Sequence, residues 1–325
     1  MPTHETTVLL GGTTLVLHAW ELEVSQWLSA IGALAVSILL AAPAAAQQEP
    51  ASPAFKSAVE RVALTAIVRD SKGRLVKDLK ARDFELVDSG RARPLIGVWS
   101  EPSPASVAIL MDSSGSMATK IDRARATAEA FIAGMLPGID ELALYSFDTN
   151  LKQVRPFSKD LTAAEGAWSG TRAFGATSLW DAIADTASHI SERQQRRALI
   201  VITDGVDSAS KLKPSEVSSI ASSLDVPVYI IVIGFLQDDG SKELQTVKGP
   251  LADLATWTGG DSLLVQDTPS AITATSKILK ELQHQYVIAF EPGSAPGWHP
   301  LVLRTRKDGL LVRARSGYVV GALDR

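Results

Sequence analysis

The sequence predicts an α/β fold: a doubly wound, mainly parallel central sheet flanked by a small β-rich unit built from the N- and C-terminal segments. Three observations lead there. Strand and helix patterns alternate from residue 104 to 284, which requires crossover connections and a parallel sheet. Within that span, Ala198–Ile202 and Val228–Ile233 are unbroken apolar runs, as in central strands covered on both faces. On either side of it, period-two alternation and Gly or Pro turns take over.

In chain order, Trp27 to Ala46 is almost wholly apolar and ends Pro43-Ala-Ala-Ala46, followed by Gln47-Gln48-Glu49-Pro50. That is the h-region and Ala44-x-Ala46 cleavage site of a signal peptide over residues 1–46. The segment holds no Lys or Arg and carries Glu5, Glu21 and Glu23 where a positive n-region is expected. A translation start placed too early, or an atypical export signal, accounts for this. The alternative is an uncleaved membrane anchor, since about 20 apolar residues span a bilayer. Export would place the protein in the periplasm, on the cell surface or in the medium. The 325 residues contain no Cys, so disulfides, thiol catalysis and Cys-type zinc sites are excluded. A formal charge of −4 offers no basic footprint for nucleic acid.

Residues 47–58 are a Pro/Ala/Ser linker, and 59–103 form an N-terminal β segment. Val62, Leu64, Ala66 and Val68 alternate like one face of a strand, and Ser71-Lys-Gly73 is a turn. Leu79 to Asp83 is a short polar connection. Phe84–Val87 and Pro94–Trp99 read as a hairpin about Asp88-Ser-Gly90. About 40 residues cannot build a robust core alone.

The central span, 104–284, carries strands at 106–111, 141–147, 152–156, 198–203, 227–234 and 261–265. Helical spacing appears from Ile121 to Met135, from Ser178 to Ile190, from Pro214 to Leu224 and from Thr268 to Leu282. The last segment, 285–325, is β again: Tyr286–Phe290, Trp298–Arg304, the turn Lys307-Asp-Gly309, Leu310–Arg315 and Gly317-Tyr318. The two β segments are expected to pack together. The ends of the central domain then lie near each other, opposite its ligand-binding edge.

That edge is predicted from the apolar run Val107–Met111, which stops at Asp112 and is followed by Ser114-Gly115-Ser116. Ligands in open α/β sheets bind beyond the carboxyl ends of the strands. Thr203-Asp204-Gly205 follows the strand at 198–202, and Gly175-Ala-Thr177 opens the second helix. Asp112, Ser114, Ser116, Thr177 and Asp204 can thus converge from three loops. Carboxylate and hydroxyl oxygens are the hard donors that Mg2+, or Mn2+ or Ca2+, takes. Two carboxylates roughly neutralise a divalent ion, and an acidic side chain of a partner is the natural sixth ligand.

Asp112-x-Ser114-x-Ser116, Thr177 and Asp204 resemble the metal-ion-dependent adhesion site of the von Willebrand factor type A family. Gly175-Ala-Thr-Ser-Leu-Trp-Asp-Ala-Ile183 is similar to that family's Gly-Gly-Thr-x-Leu-Tyr-Asp-Ala-Ile stretch, with Ala176 at the second Gly. The resemblance spans 104–284. The flanks, Val68–Leu79 with Asp83-Phe-Glu85, and Trp298–Arg304 with Arg313–Tyr318, resemble the type A-related exported proteins of Acidobacteria. The resemblance implies a doubly wound sheet and metal-mediated binding of a protein ligand.

Plainer roles compete. Ser and Asp are also favoured helix caps. Asp181 reads as structural, Asp148 as a weaker candidate ligand and Asp207 as a solvated loop residue. His189, His284 and His299 are scattered, and none stands beside a candidate nucleophile. There is no Gly-x-Ser-x-Gly, His-Glu-x-x-His or phosphate loop, so the chain is not expected to be an enzyme. Arg193 to Arg197 reads as a solvated helix end. Trp99, Trp257 and Trp298 are expected in core or domain contacts, and Trp180 in the core or at the rim of the metal face. The alternatives to a binding module are a metal-assisted hydrolase and a purely structural metal.

Overall fold

The structure, a computed structural model, describes residues 61–100, 102–234 and 247–321; the expected signal peptide and linker lie outside the described residues. The N-terminal segment forms β1 (Val62–Asp70), a 3-10 turn at Ala81–Asp83, β2 (Phe84–Asp88), β3 (Arg91–Arg93) and β4 (Leu95–Trp99). The central span follows as β5 (Ala105–Asp112), α1 (Ile121–Ala133), β6 (Glu141–Phe147), β7 (Leu151–Ser158), α2 (Leu179–Ser191) and β8 (Arg196–Thr203). It continues with α3 (Pro214–Ser223), β9 (Val228–Ile233), α4 (Pro250–Thr258), β10 (Ser262–Val265) and α5 (Thr268–Gln283). β11 (Tyr286–Phe290), β12 (Gly297–Thr305), β13 (Leu310–Ala314) and β14 (Gly317–Val320) complete the described chain.

The central sheet has the order β10-β9-β8-β5-β6-β7. All neighbours are parallel except β6 and β7, so β7 is an antiparallel edge. β5 and β6 are buried at every position, as fully covered parallel strands must be. Helices α1 and α5 cover one face through Phe131, Ile132, Ala274 and Ile278. Helices α2, α3 and α4 cover the other through Leu179, Ile183, Val217 and Leu254. Burying each such Leu or Ile contributes about 1.5–3 kcal/mol. The cap of α5 is Asp267, which accepts from Ser270 N at 2.8 Å.

Helix α4 is an addition to the sequence reading. At nine residues it shows too few turns for its periodicity to stand out, yet Leu251, Leu254 and Ala255 are buried. The strand expected at 152–156 is longer, and the first helix begins at Ile121, as its spacing indicates, after a 3-10 turn at Gly115–Met117.

The flanking segments interleave as two four-stranded antiparallel sheets, β13-β1-β11-β4 and β14-β12-β2-β3. Strand β1 lies between two C-terminal strands, with Val62 opposite Phe290 and Val68 opposite Val312. Leu64, Phe84, Leu86, Tyr286, Phe290 and Tyr318 form one shared core. Neither segment could make this core alone. The expected hairpin is only half present: β2 pairs with β3, but after Pro94 the chain crosses to the other sheet, where β4 pairs with β11. The local pattern marks the strands, but the neighbour of β4 is supplied by a segment about 190 residues later.

Two further expectations change. Trp99, Trp257 and Trp298 are 52%, 47% and 39% exposed and so lie outside the buried core, while Trp257 does stand at a domain contact, its carbonyl accepting from Ser316 N at 2.9 Å. Arg193 and Arg197 are not simply solvated. Arg193 grips Glu141 with Nη2 at 2.5 Å from Oε2, and Arg197 pairs with Asp225 at 3.2 Å. Arg196 donates to Leu282 O at 3.1 Å. This bond joins the start of β8 to the end of α5, and Arg196 is also the register partner of Ala105 at the start of β5, so the two ends of the central domain lie at the amino edge of its sheet.

Candidate functional site

In the central sheet the chain passes from β5 to β6 on one side, then returns to β8 on the other. The carboxyl ends of β5 and β8 are therefore the topological switch point. Asp112 ends β5, and Asp204 directly follows β8. Met111 and Ile202 are register partners, so the two carboxylates leave adjacent strands at nearly one level.

Asp112 is fully buried. Its Oδ1 accepts from Ser114 N at 2.9 Å and its Oδ2 from Thr203 Oγ1 at 2.6 Å. Ser114 Oγ and Ser116 Oγ are 3.1 Å apart. Burial pushes the Asp112 carboxyl above its ordinary range; the bonds from Ser114 and Thr203 oppose this, while the negative Asp204 nearby adds to it. Two carboxylates held together out of water require a cation to remain charged. One is present: Lys120 Nζ lies 2.8 Å from Asp204 Oδ2 and 3.5 Å from Ser116 O.

The third loop is zipped onto the first. Phe174 N donates to Ser113 O at 2.8 Å, and Gly115 N donates to Gly175 O at 3.0 Å. Gly175 has φ +85, and a Cβ there would meet Thr149 Oγ1 at 3.4 Å, so glycine is needed for this carbonyl to reach Gly115. Thr177, buried, donates its N–H to Ser208 Oγ at 3.0 Å and accepts from Ser208 N and Ala209 N, each at 2.9 Å. Thus Asp112 contacts Ser114 and Ser114 contacts Ser116, while Asp204 joins them through Lys120, which also reaches Ser116 O. Thr177 is pinned by its backbone to the loop after Asp204.

The neighbours take structural roles. Asp181 accepts from Lys211 N and Leu212 N, at 3.0 and 2.9 Å, and so holds the loop into α3. Asp207 is not a free loop residue: its Oδ1 accepts from Leu179 N at 2.9 Å and caps the first turn of α2. Asp148 accepts from Asn150 N at 2.9 Å. Trp180 is 7% exposed and belongs to the core under α2. Phe174, by contrast, is 79% exposed beside Ser113.

Sequence reasoning passed over Lys120, Thr203 and Phe174. A signal for Lys120 existed. It stands at the N-cap of α1, where Ser, Thr, Asp or Asn is favoured and the helix dipole disfavours a cation.

One expectation about histidines is corrected. His299 Nδ1 lies 3.3 Å from Ser89 Oγ and 3.0 Å from Asp88 Oδ1. The trio is a clamp within the β-sandwich. A relay would need one ring nitrogen for the hydroxyl and the other for the acid. Here both face Nδ1, while Nε2 is engaged with Ala295 O at 2.7 Å. Arg93 and Tyr318 complete the clamp, each bonding Asp88 Oδ2 at 3.0 Å.

Among the described residues, no three His, Cys, Asp or Glu side chains converge to hold a metal. The donor set at the switch point is of another kind, two carboxylates with serine and threonine oxygens, and its chemistry fits a hard divalent cation. Among the described residues no helix is long and apolar enough to cross a membrane.

Fold and site together define a doubly wound α/β domain with an oxygen-rich cluster at its switch point. Residues 107–206 match the von Willebrand factor type A domain family, and the chain carries such a domain. All five candidate residues lie within that stretch. Similar solved structures include the conserved hypothetical protein BatB from Bacteroides thetaiotaomicron, at 18% identity and a TM-score of 0.45 over 55% of this chain and 98% of that one. An aerotolerance-related membrane protein from Bacteroides fragilis is 19% identical, with a TM-score of 0.43 over 55% and 98%. A von Willebrand factor type A protein from Catenulispora acidiphila is 14% identical, with a TM-score of 0.46 over 82% and 76%. No curated protein matches the chain.

Proposed function

We propose that the protein is an exported protein-binding module that grips an acidic group of its partner through a divalent cation held by Asp112, Ser114, Ser116, Thr177 and Asp204. The observation that carries the reading is the convergence of the Asp112 and Asp204 carboxylates with the paired Ser114 and Ser116 hydroxyls at the sheet's switch point. The two carboxylates balance a divalent charge and the neutral hydroxyls add none, so the cation keeps Lewis acidity toward a carboxylate at an open position. Phe174 supports the same reading. An aromatic ring held by a backbone bond to Ser113, and turned to solvent, is suited to covering apolar surface of a docked partner. The apolar N-terminal segment ending at Ala46 supports export.

The test is capture of proteins from the native cell envelope with Mg2+ and with a chelator. Capture should require the cation and should be lost in Asp112→Ala with the circular dichroism spectrum unchanged. Capture that survives both the chelator and the substitution would rule the metal bridge out.

A further inference from the structure

The position of Lys120 bears on how a cation enters this cluster. Its ammonium lies 2.8 Å from Asp204 Oδ2, and the two side chains are only 15% and 2% exposed. The same nitrogen reaches Ser116 O at 3.5 Å, so it contacts two of the five proposed ligand residues. This lysine is also in a costly place. It occupies the N-cap of α1 without capping it, at the end of the helix where the dipole repels positive charge. The carboxylates compensate for that cost. Asp112 ends β5 and Asp204 follows the adjacent β8 at nearly the same level, and two buried acids at one sheet edge need a counter-cation.

We propose that Lys120 is a built-in occupant of the cation position: its ammonium neutralises Asp204, and a divalent ion loads only by displacing it. This rests on the reading of the cluster as a metal centre and adds how loading is controlled. Asp204 cannot serve both cations at full strength, since an ammonium and a metal ion sharing one carboxylate repel each other in a site with little water. Metal affinity is thereby set low by a tethered competitor of fixed local concentration. Displacement also frees a positive side chain at the rim, four residues from Ser116, where an acidic partner would meet it.

The test is calorimetric titration of Mg2+ and Mn2+ into the full chain and its Lys120→Met and Lys120→Gln variants. The Gln variant keeps a hydrogen-bond donor toward Asp204 without the charge and serves if Met fails to fold. The expected result is binding to the wild type that tightens about tenfold or more in either variant. Chelated protein should show the opposite order, with the variants melting below the wild type because Asp204 has lost its partner; saturating Mg2+ should raise their melting temperature more than that of the wild type. Equal affinities in all three proteins overturn the proposal while leaving the metal centre standing. Absence of binding in folded wild type and folded variants overturns both.

Discussion

Arg69 Nη2 lies 2.7 Å from Glu281 Oε1, joining β1 of the sandwich to the last turns of α5. The Glu281 side chain is fully buried, and its second oxygen is taken by Arg313 of β13. Arg313 also reaches Asp261 at 2.9 Å, and Lys277 reaches the same carboxylate at 2.8 Å. One buried acid thus ties the helix to strands from both flanking segments. Arg315 adds a second tie, donating to Ala63 O at 2.8 Å and Ser222 O at 3.3 Å. The α/β domain and the sandwich are held together by charge-assisted bonds across their junction.

Removing the Glu281 charge should therefore uncouple them. Glu281→Gln leaves two guanidinium groups short of a buried partner, and a broken buried pair of this kind costs about 3–5 kcal/mol. Urea unfolding should show a lower midpoint, with near-UV and far-UV signals no longer coincident. A single transition at the wild-type midpoint would show that the junction does not depend on this acid.

Acid should loosen the sandwich. Burial pushes the Asp88 carboxyl up, but bonds from His299, Tyr318 and Ser89, with the charge of Arg93, outweigh it and leave the group below the usual carboxylate range. Glu141 is likewise raised by burial and lowered further by Arg193 and Ser106. A depressed carboxylate stabilises the fold at pH above its unfolded value, about 4, and loses that contribution as pH falls through the folded value. Melting temperature should be level near neutrality and fall below about pH 4, less steeply in Asp88→Asn. An identical slope in the variant would remove Asp88 from the account.

Phe174 and Trp180 should separate surface from core. Phe174→Ala removes an exposed ring and should change stability by less than about 0.5 kcal/mol. Trp180→Ala empties a buried position under α2 and should cost about 3–5 kcal/mol. Denaturant midpoints read both. If the two variants were equally destabilised, the Phe174 ring would have to be packed in solution.

Thr203 should matter to the cation although it is no proposed ligand. Its hydroxyl donates to Asp112 Oδ2 at 2.6 Å and accepts from Gly205 N at 3.0 Å, so it aims one carboxylate and shapes the turn carrying the other. Thr203→Val keeps the shape and removes both bonds. Mg2+ affinity by calorimetry should fall roughly 10–100-fold, as for other groups that orient metal ligands. Unchanged affinity in a folded variant would show that Asp112 needs no such support.

The sandwich illustrates why part of the fold was hidden. Alternation in Val62–Val68 and Tyr286–Phe290 marks strands because period two is local. The crossing of β4 to the sheet of β11, and the meeting of Ser89 with His299 over 210 positions, depend on where a distant segment returns. Arg193–Arg197 looked like a solvated run for the same reason: Glu141 and Asp225 are 52 and 28 residues away from their partners.

By itself, the sequence determined the strand–helix alternation of the central domain and the order Asp112, Ser114, Ser116, Thr177, Asp204 along it. Apolar periodicity, turn residues and strand-end carboxylates are all expressed within a few neighbouring positions. Only the tertiary structure decided that Asp112 is buried, that Thr203 aims it, and that Lys120 spans 84 positions to meet Asp204. Those outcomes depend on strand order, which sets β5 beside β8 and so brings two acids and one ammonium to a single edge. Charge attraction acts through space, and the chain's local pattern, which marks Lys120 as misplaced at a helix N-cap, does not say which distant acid it meets.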